Sequence, residues 1–247
     1  MLATGLWHGA VVFLRVAALV SVLPAFGESS VPMRIKLVLA LAFTAIVAPA
    51  VPVIAAAASP LQLAGYALTE LVIGLALGLG VRLFVLALQT AGSIAAQATS
   101  LSQILGGAAV EPIPAMGYVL AIGGLALAVM AGLHVQVARL MILSYDLFPA
   151  GAFPEARDLS FWGVGRIAQA FSMAFMLAAP FVIASVIYNL TLGVINRAMP
   201  QLMVAFVGAP VITLGGLFLL FAAAPLILAA WTDAMLAFVQ NPLGPPQ

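Results

Sequence analysis

The sequence predicts an all-α membrane protein with about six long hydrophobic helices, arranged as hairpins, and a loop rich in glycine and proline after the third. Of its 247 residues, 65% are hydrophobic and only 6% are charged, and the mean hydropathy is +1.26. A soluble domain carries about 25% charged residues because its surface faces water. Residues 1–14 contain no lysine or arginine, so we expect a retained helix there rather than a cleaved signal peptide.

Prolines and glycines divide the apolar runs into helices, each of which needs about 20 mostly apolar residues to span a membrane. We expect helices at residues 6–24, 33–56, 61–90, 116–146, 162–195 and 202–238. Pro24 and Gly27 end the first helix. Ser30 and Pro32 are typical of the start of the second. The three prolines within residues 48–60 separate the second helix from the third.

The stretch at residues 99–117 is too polar, and too rich in glycine and proline, for a helix that faces lipid. Non-helical backbone survives at membrane depth only where protein or water covers it. The stretch is therefore either an external loop or a re-entrant segment that lines a cavity. We favour the external loop because ordinary connections are more common.

Residues that support catalysis or cofactor binding are scarce. The chain has no cysteine, and its formal net charge of +1 gives no attraction to nucleic acid. His8 and His134 lie far apart, and neither has a second ligand at metal spacing. The glycines at 163–166 resemble those of an intramembrane aspartyl protease, but Arg166 stands where the acid belongs. We therefore expect no enzymatic activity, no cofactor and no metal site.

Charges within the apolar runs support a competing hypothesis, a solute or ion transporter. Glu70 and Arg82 lie about three turns apart along the same side of the third helix. Charges at membrane depth are candidates for a functional role, although each can instead pair with a neighbouring chain or extend to the membrane interface. An ion-coupled relay needs several acids, and Glu70 is nearly alone.

Small residues at helical spacing indicate close helix packing. Gly74 and Gly78 form a G-x-x-x-G pattern on the third helix, and such glycines let helix backbones approach closely in lipid. We expect Gly74 and Gly78, together with Glu70 and Arg82, to lie at interfaces with other subunits.

Residues 196–201 place polar groups between two long apolar runs. An arginine at the bilayer centre costs about 2.5–3.5 kcal/mol on insertion scales, and a proline disfavours helix at the residue before it. We therefore predict a tight corner whose polar groups face water or another subunit. The interface candidates at this corner are Asn196, Arg197, Pro200 and Gln201.

Four segments carry further motifs in a fixed order. Residues 15–44 contain an arginine, a Pro-x-Phe-Gly turn and Val-Pro-x-Arg-x-Lys. Residues 74–102 form a helix followed by a polar segment, and residues 132–151 end in Phe-Pro-x-Gly. Residues 192–211 contain Asn-Arg and then Pro-Gln. Together these motifs resemble the FliR family of flagellar type III export-gate proteins and its SctT-like injectisome relatives, over most of the chain.

The resemblance implies a non-enzymatic core subunit of a protein export gate, in the bacterial inner membrane and the flagellar basal body. It implies assembly with FliP-like and FliQ-like membrane subunits, in contact with lipid, around a pore that unfolded substrates pass through. It also implies contacts with larger FlhB-like and FlhA-like gate components. Residues 1–160 correspond to a FliP-like part, and residues 161–247 to a FliQ-like helical hairpin with a short tail.

The family also places a closing loop after the third helix. In this sequence, residues 103–115 combine apolar side chains that can exclude water from a narrow pore with flexible glycines and one charge at the edge. The resulting plug candidates are Ile104, Leu105, Gly106, Gly107, Glu111 and Ile113.

Two other functions fit the composition, a small-solute or ion secondary transporter and a membrane scaffold without a pore. A transporter of this size is expected to contain an inverted internal repeat, and the motif at 196–201 has no convincing counterpart in the first half. Copurification separates the hypotheses, because a gate subunit is expected with two small hydrophobic partners and a transporter alone or as a homodimer.

Overall fold

The computed structural model describes residues 2–28, 30–99, 115–199 and 204–244. These residues form seven α-helices and one short 3₁₀ helix. In chain order they are α1 (Leu2–Val22), α2 (Met33–Val47), the 3₁₀ helix (Ala48–Ala50), α3 (Pro60–Ala98), α4 (Ala115–Met130), α5 (Leu133–Leu147), α6 (Ala156–Ala198) and α7 (Val204–Gln240). The predicted all-α membrane fold is confirmed.

Five of the described helical segments are long and apolar enough to cross a membrane. They are Thr4–Val22, Met33–Ala50, Pro60–Ala98, Ala156–Ala198 and Pro210–Gln240. The pair α4 and α5 adds a sixth if its two helices, which are bent by 72°, count as one span. The long spans contain prolines at 180, 210 and 225, which membrane helices tolerate because neighbouring groups satisfy the freed carbonyls.

The single helix predicted over 116–146 is wrong at its centre. α4 ends at Met130, and α5 begins at Leu133. Between them, Gly132 adopts a left-handed conformation with φ 81°, and its N–H donates to Val129 O at 3.0 Å. A glycine reaches this conformation without the steric conflict that a Cβ would introduce, so the chain changes direction there.

Two other helices end at positions that differ from the prediction for local reasons. α2 ends at Val47, well before residue 56, because Pro52 favours the extended conformation seen at Val51 (φ −115°, ψ 154°). α3 continues to Ala98 rather than 90. Residues 91–98 are rich in alanine, the strongest helix former, and contain no proline.

Contacts divide the chain into two compact units, each discontinuous in sequence. Unit 1 comprises Met1–Phe84, Ala128–Ala168 and Asp233–Gln247, and unit 2 comprises Val85–Leu127 and Gln169–Thr232. Each unit has its own buried apolar side chains. In unit 1 these include Val12, Leu19, Ile73 and Leu140, and in unit 2 Leu88, Ala174, Phe181 and Trp231. The division at residue 160 concerns resemblance to other proteins and stays a prediction.

In unit 1, α1 packs against α2, and the two glycines of the G-x-x-x-G pattern bring it against α3. A Cβ at Gly74 would collide with Arg15 O and would lie 2.8 Å from the Cβ of Ala18. A Cβ at Gly78 would lie 2.8 Å from Leu19 O. The backbones of α1 and α3 are therefore too close for any larger residue at these positions.

In unit 2, small residues again permit close approach. A Cβ at Gly92, on α3, would collide with the backbone of Gly117 on α4. Gly124, which follows Gly117 by about two turns of α4, lies against Leu88 and the buried indole of Trp231. Glycines thus permit close helix packing within the chain in both units.

Gly74→Ala is expected to lower the stability of unit 1 by about 1–3 kcal/mol, because the new methyl group overlaps a backbone oxygen that cannot move freely. Gly65→Ala on the same helix is the matched control, since a Cβ there meets nothing within 4 Å. The measurement is the midpoint temperature at which the solubilised full-length chain aggregates. Equal midpoints for the two variants would contradict the close approach of α1 and α3.

Candidate functional site: a buried charge centre

Arg15 of α1 is fully buried, and every N–H of its guanidinium has an acceptor. Nε donates to Glu70 Oε2 at 2.7 Å, and Nη2 donates to Glu70 Oε1 at 3.1 Å. Nη1 donates to Ser144 O at 2.9 Å and to Ser144 Oγ at 3.0 Å. Nη2 also donates to Phe148 O at 2.9 Å. These five bonds use all five donors of the side chain.

Glu70 of α3 is also fully buried, and its carboxylate accepts four hydrogen bonds. In addition to the two from Arg15, Oε2 accepts from Tyr145 OH at 3.2 Å and Oε1 accepts from Gly151 N at 3.3 Å. The Tyr145 ring centroid lies 3.7 Å from Arg15 Cζ, within cation–π distance. The buried charge centre, as we name it, consists of Arg15, Glu70, Ser144, Tyr145, Phe148 and Gly151.

The apolar faces of α1 and α3 place the two charges in the core. Buried residues recur along α1 at helical spacing, and Arg15 shares their face. They are Val12, Val16 and Leu19. Glu70 likewise shares the buried face of α3 with Ile73, Leu77 and Val81. Gly74, one turn after Glu70, lies against the backbone oxygen of Arg15 itself, so the close helix contact and the ion pair occur at one level.

The connection after α5 completes the centre. Gly151 adopts a left-handed conformation with φ 76°, and its N–H reaches Glu70. The Tyr66 ring of α3 packs on Gly151 so closely that a Cβ there would lie 2.5 Å from Cε1. Tyr66 also makes an edge-to-face contact with Trp7, at 6.0 Å between ring centroids. The residues after α5 are thus fixed against both α1 and α3.

The buried charge centre is suited to a structural role. The opposite charges neutralise each other, and the donors of the arginine and the acceptor sites of the carboxylate are all occupied. Within the part of the chain that the structure describes, no three His, Cys, Asp or Glu side chains converge as they would around a metal ion. The centre connects α1, α3 and the end of α5.

His8 has a packing role in the same unit. It is buried, its Nε2 lies 2.7 Å from Ala48 O, and its Nδ1 accepts from Ile54 N at 3.2 Å. This pattern places the proton on Nε2. The neighbouring Trp7 donates its indole N–H to Ala55 O at 2.9 Å. Both side chains therefore attach the segment after α2 to α1.

Arg166, the charge that excluded a protease motif, contacts the segment after α7. Its Nη2 donates to Pro242 O at 3.1 Å and to Gly244 O. Trp162 Nε1 donates to the same Pro242 oxygen at 2.8 Å. The Phe238 ring centroid lies 5.2 Å from Arg166 Cζ. Arg166 is thus an anchor for the C-terminal segment of unit 1.

Four of the predicted interface residues have partners within the chain. Glu70 belongs to the buried charge centre, and Gly74 and Gly78 pack on α1. Arg82 Nη1 donates to Val22 O at 3.4 Å, at the last residue of α1. The two charges and the two glycines from which interfaces with other subunits were predicted therefore have contacts within the chain. The interfaces themselves stay a prediction.

α6 extends into the segment predicted to form a corner, residues 196–201. α6 starts at Ala156 instead of 162 and continues through Ala198, so Asn196 and Arg197 lie exposed in its last turn. A cation there is favourable because it faces the negative end of the helix dipole. The remaining candidates lie outside the described residues. They are Pro200 and Gln201 of the corner, and Ile104, Leu105, Gly106, Gly107, Glu111 and Ile113 of the plug.

Reasoning from the sequence missed the pairing of Arg15 with Glu70 and the contributions of Ser144, Tyr145 and Gly151. The sequence contained part of the information that indicates this pairing. Arg15 and Glu70 each interrupt an apolar run, and an isolated charge at membrane depth needs a partner. Spacing within α3 indicates Arg82 as the nearest cation to Glu70, and it does not indicate a residue of α1.

The chain is similar over most of its length to one family of known proteins. The profile of the family described as bacterial export proteins, family 1, matches residues 6–238, which include the whole buried charge centre. The flagellar biosynthetic protein FliR of Caulobacter vibrioides is 35% identical over 228 residues, covering 91% of this chain and 91% of that protein. The chain belongs to the FliR family. The resemblance inferred from the sequence motifs is therefore confirmed.

Two further FliR proteins are similar to this FliR-family chain. The Escherichia coli protein is 30% identical over 218 residues, which cover 87% of this chain and 83% of the relative. The Aquifex aeolicus protein is 28% identical over 231 residues, which cover 87% of this chain and 84% of the relative. Both relatives are named flagellar biosynthetic proteins.

Two FliR-like motifs of the sequence meet in the buried charge centre. Arg15 opens the first motif segment, and Phe148 and Gly151 belong to the Phe-Pro-x-Gly sequence. Arg15 donates to Phe148 O, and Gly151 donates to Glu70. The two motifs therefore have a common physical role in this chain, which is to satisfy one buried ion pair.

Arg15→Met and Glu70→Met are each expected to destabilise the chain by about 3–5 kcal/mol, because either change leaves an unpaired charge in the core. The double variant is expected to lose less than the sum of the two, since no charge remains buried alone. Thermal midpoint and steady-state level in membranes provide the measurement. Arg139→Met, at an exposed position on α5, controls for loss of a cation. Simple additivity of the two changes would contradict a coupled pair.

Proposed function

We propose that the chain is a non-enzymatic core subunit of the type III (flagellar) protein export gate. In this proposal it forms, with FliP-like and FliQ-like membrane subunits, a pore through which unfolded substrates pass. The observation that carries the proposal is the family match over residues 6–238, together with the flagellar biosynthetic role in the names of its relatives.

The surfaces of α6 and α7 in unit 2 favour assembly with other helices. Only 17% of the most apolar window of α7 is buried within the chain. Large apolar side chains on both helices are more than half exposed. They include Phe171, Phe175, Ile187 and Leu190 on α6 and Leu214, Phe218, Phe221 and Leu226 on α7. Extended apolar surfaces of this kind contact lipid or partner helices.

The same two helices support the proposed division of the chain. α6 and α7 are in contact within unit 2, where Tyr188 OH donates to Gly208 O and Leu192 packs on Gly208. These residues lie on either side of residues 200–203 in the sequence, as expected for a hairpin. We propose that residues 161–247 are the FliQ-like hairpin and that residues 1–160 are the FliP-like part.

Polar side chains on the exposed surface of α6 are the proposed contacts with those subunits. Asn189, Asn196 and Arg197 are exposed on a helix that is mostly apolar. Polar groups in a membrane are stabilised by hydrogen bonds across helices. Pro200 and Gln201 belong to the same proposed contact by their place in the sequence.

The proposal also includes larger FlhB-like and FlhA-like components, a location in the bacterial inner membrane and a place in the flagellar basal body. The contacts of Glu70 within the chain weaken the transporter hypothesis. Glu70, the acid on which an ion relay depended, has both carboxylate oxygens occupied by partners within the chain.

Copurification tests the proposal directly. The full-length chain, tagged and expressed from its own operon or with candidate genes, is extracted from membranes in mild detergent and its partners are identified by mass spectrometry. A complex with two small hydrophobic proteins is the expected result. A monodisperse chain that is stable alone, or a homodimer, would overturn the gate proposal.

Arg197→Ala is expected to reduce recovery of the partner subunits severalfold while membrane insertion stays intact, because insertion becomes easier and a donor at the interface is lost. Gln201→Ala is expected to act in the same direction. Arg157→Ala, an exposed cation in the first turn of α6, is the matched control. Wild-type recovery of partners with both corner variants would mean that the corner makes no subunit contact.

Deletion of residues 106–110 is expected to let small ions leak across the membrane while the complex still assembles, because the apolar residues around them would no longer seal the pore. Replacement of Gly106, Gly107 and Val110 by alanine keeps the length, and this variant is expected to leak less than the deletion. Ion permeability of cells or vesicles that contain the complex is the measurement. Unchanged permeability with intact assembly would rule out a plug in this segment.

A further inference from the structure

A cavity of about 250 Å³ lies within unit 1, next to the buried charge centre. Its lining comes from α3, from the residues between α5 and α6, from the first two turns of α6 and from the segment after α7. Phe148 belongs to both features, since its backbone oxygen accepts from Arg15 and the residue also lines the cavity. Sites for drug-sized ligands have volumes of about 300–1,000 Å³, so this cavity suits a smaller ligand with a single ring.

Most of the cavity lining is apolar. Ile73 and Leu77 are buried one turn apart on α3. Phe148 and Trp162 add two aromatic residues to the lining. An aromatic side chain attracts another ring, and its face also attracts an organic cation. The lining therefore favours a ligand that carries a ring, a positive charge or both.

Contacts outside the cavity hold its aromatic wall in place. Trp162 Nε1 donates to Pro242 O at 2.8 Å, and its ring centroid lies 6.4 Å from that of Phe238. Both rings pack on Gly80 of α3, where a Cβ would lie 2.6 Å from Phe238 Cζ and 3.3 Å from Trp162 Cη2. A wall that is already ordered costs less conformational freedom when a ligand binds.

The exposed part of the lining carries negative charge. Glu155 and Asp158 lie three residues apart at the start of α6, and both are exposed and line the cavity. Among the described residues that form the lining, none is a lysine, an arginine or a histidine. The opening of the cavity is therefore complementary in charge to a cation.

The arginines that follow in the sequence have contacts elsewhere. The Arg157 guanidinium lies 5.6 Å from the ring centroid of Phe161. Arg166 donates to Pro242 O and to Gly244 O. Neither arginine lines the cavity, so the charge that its lining presents to a ligand stays negative.

We propose that this cavity binds a small organic cation with one aromatic ring, an arylalkylammonium ion. Its ring lies among Ile73, Leu77 and Phe148, and its ammonium group faces Glu155 and Asp158. A neutral aromatic molecule would use the apolar lining and leave the carboxylates without a cation, and an aromatic acid would be repelled. A purely hydrophilic cation would leave the apolar lining in contact with water.

The proposal concerns unit 1 alone. It does not depend on a pore, on partner subunits or on which helices cross the membrane. Failure of the ligand experiment would therefore leave the export-gate proposal untouched, and a chain without FliP-like or FliQ-like partners would still bind the ligand.

The experiment uses three photoactivatable probes that share one aryl diazirine and differ in a single group. They are a benzylamine, the matched benzyl alcohol and the matched benzoate. Each is added to membranes that contain the full-length chain, and crosslinks are mapped by mass spectrometry after illumination. The yield on residues 73–77 and 154–162 is divided by the yield on residues 211–221 of α7, whose exposed apolar side chains report how much probe enters the membrane.

We expect this ratio to be about three-fold larger for the amine than for the alcohol, and smallest for the benzoate, because an exposed ion pair strengthens binding by up to about five-fold. Unlabelled 3-phenylpropylamine is expected to reduce the crosslinks at the cavity and not those on α7.

Matched variants separate a binding role from a structural one. Carboxylates in the first turn also stabilise a helix through its dipole, but that effect does not change the preference for the amine over the alcohol. Asp158→Asn is expected to lower this preference about two-fold, and the double change with Glu155→Gln is expected to abolish it. Asp146→Asn, which removes an exposed acid of α5 outside the lining, is expected to leave it unchanged. Ala76→Phe fills the cavity and is expected to reduce crosslinking there by all three probes.

Equal ratios for the amine and the alcohol in the wild-type chain would overturn the proposal, because they would show an apolar cavity that does not recognise charge. Crosslinks at the cavity that unlabelled 3-phenylpropylamine does not displace would contradict it as well, and so would equal effects of Asp158→Asn and Asp146→Asn. The wild-type comparison of the three probes decides the matter even if a variant does not accumulate.

Discussion

The ion pair between Arg15 and Glu70 is the constraint on which the rest of unit 1 depends. Removing two charges from water is costly, and their attraction offsets that cost only when the remaining donors and acceptors are satisfied as well. Here four further residues, from the end of α5 and the residues that follow it, supply those bonds. The end of α5 is therefore held against α1 and α3 by its hydrogen bonds to the ion pair.

A second regularity links the other polar residues of unit 1. Basic and ring N–H groups donate to backbone carbonyls at, or just beyond, several helix ends. Arg82 donates to the end of α1, His8 to Ala48 after α2, and Arg166 to Pro242 after α7. Arg15 also donates to Ser144 and Phe148 at the end of α5. With only eight lysines and arginines in the chain, several of them satisfy backbone rather than face water.

Composition and proline spacing were sufficient to predict an all-α membrane fold with long apolar helices, because hydropathy acts locally along the chain. They did not predict the break at Gly132, since a glycine in an apolar run is compatible with both a continuous helix and a turn. They also failed to predict the partner of Glu70. Its partner lies 55 residues away on another helix, and no spacing rule within one helix identifies it. The resemblance of short motifs identified the family, but the reason for two of those motifs became clear only when the helices were seen together.

The distance along the chain between the members of the buried charge centre has a consequence for biogenesis. Glu70 follows Arg15 by 55 residues, and Phe148 follows Arg15 by 133. At about 5–20 residues per second, translation takes roughly 3–11 s to deliver the carboxylate after the guanidinium. The nascent first helix therefore carries a cation without its carboxylate partner throughout that interval. Until the residues after α5 have been synthesised, the donors of Arg15 and the acceptors of Glu70 are only partly satisfied, so the core of unit 1 is completed late in synthesis.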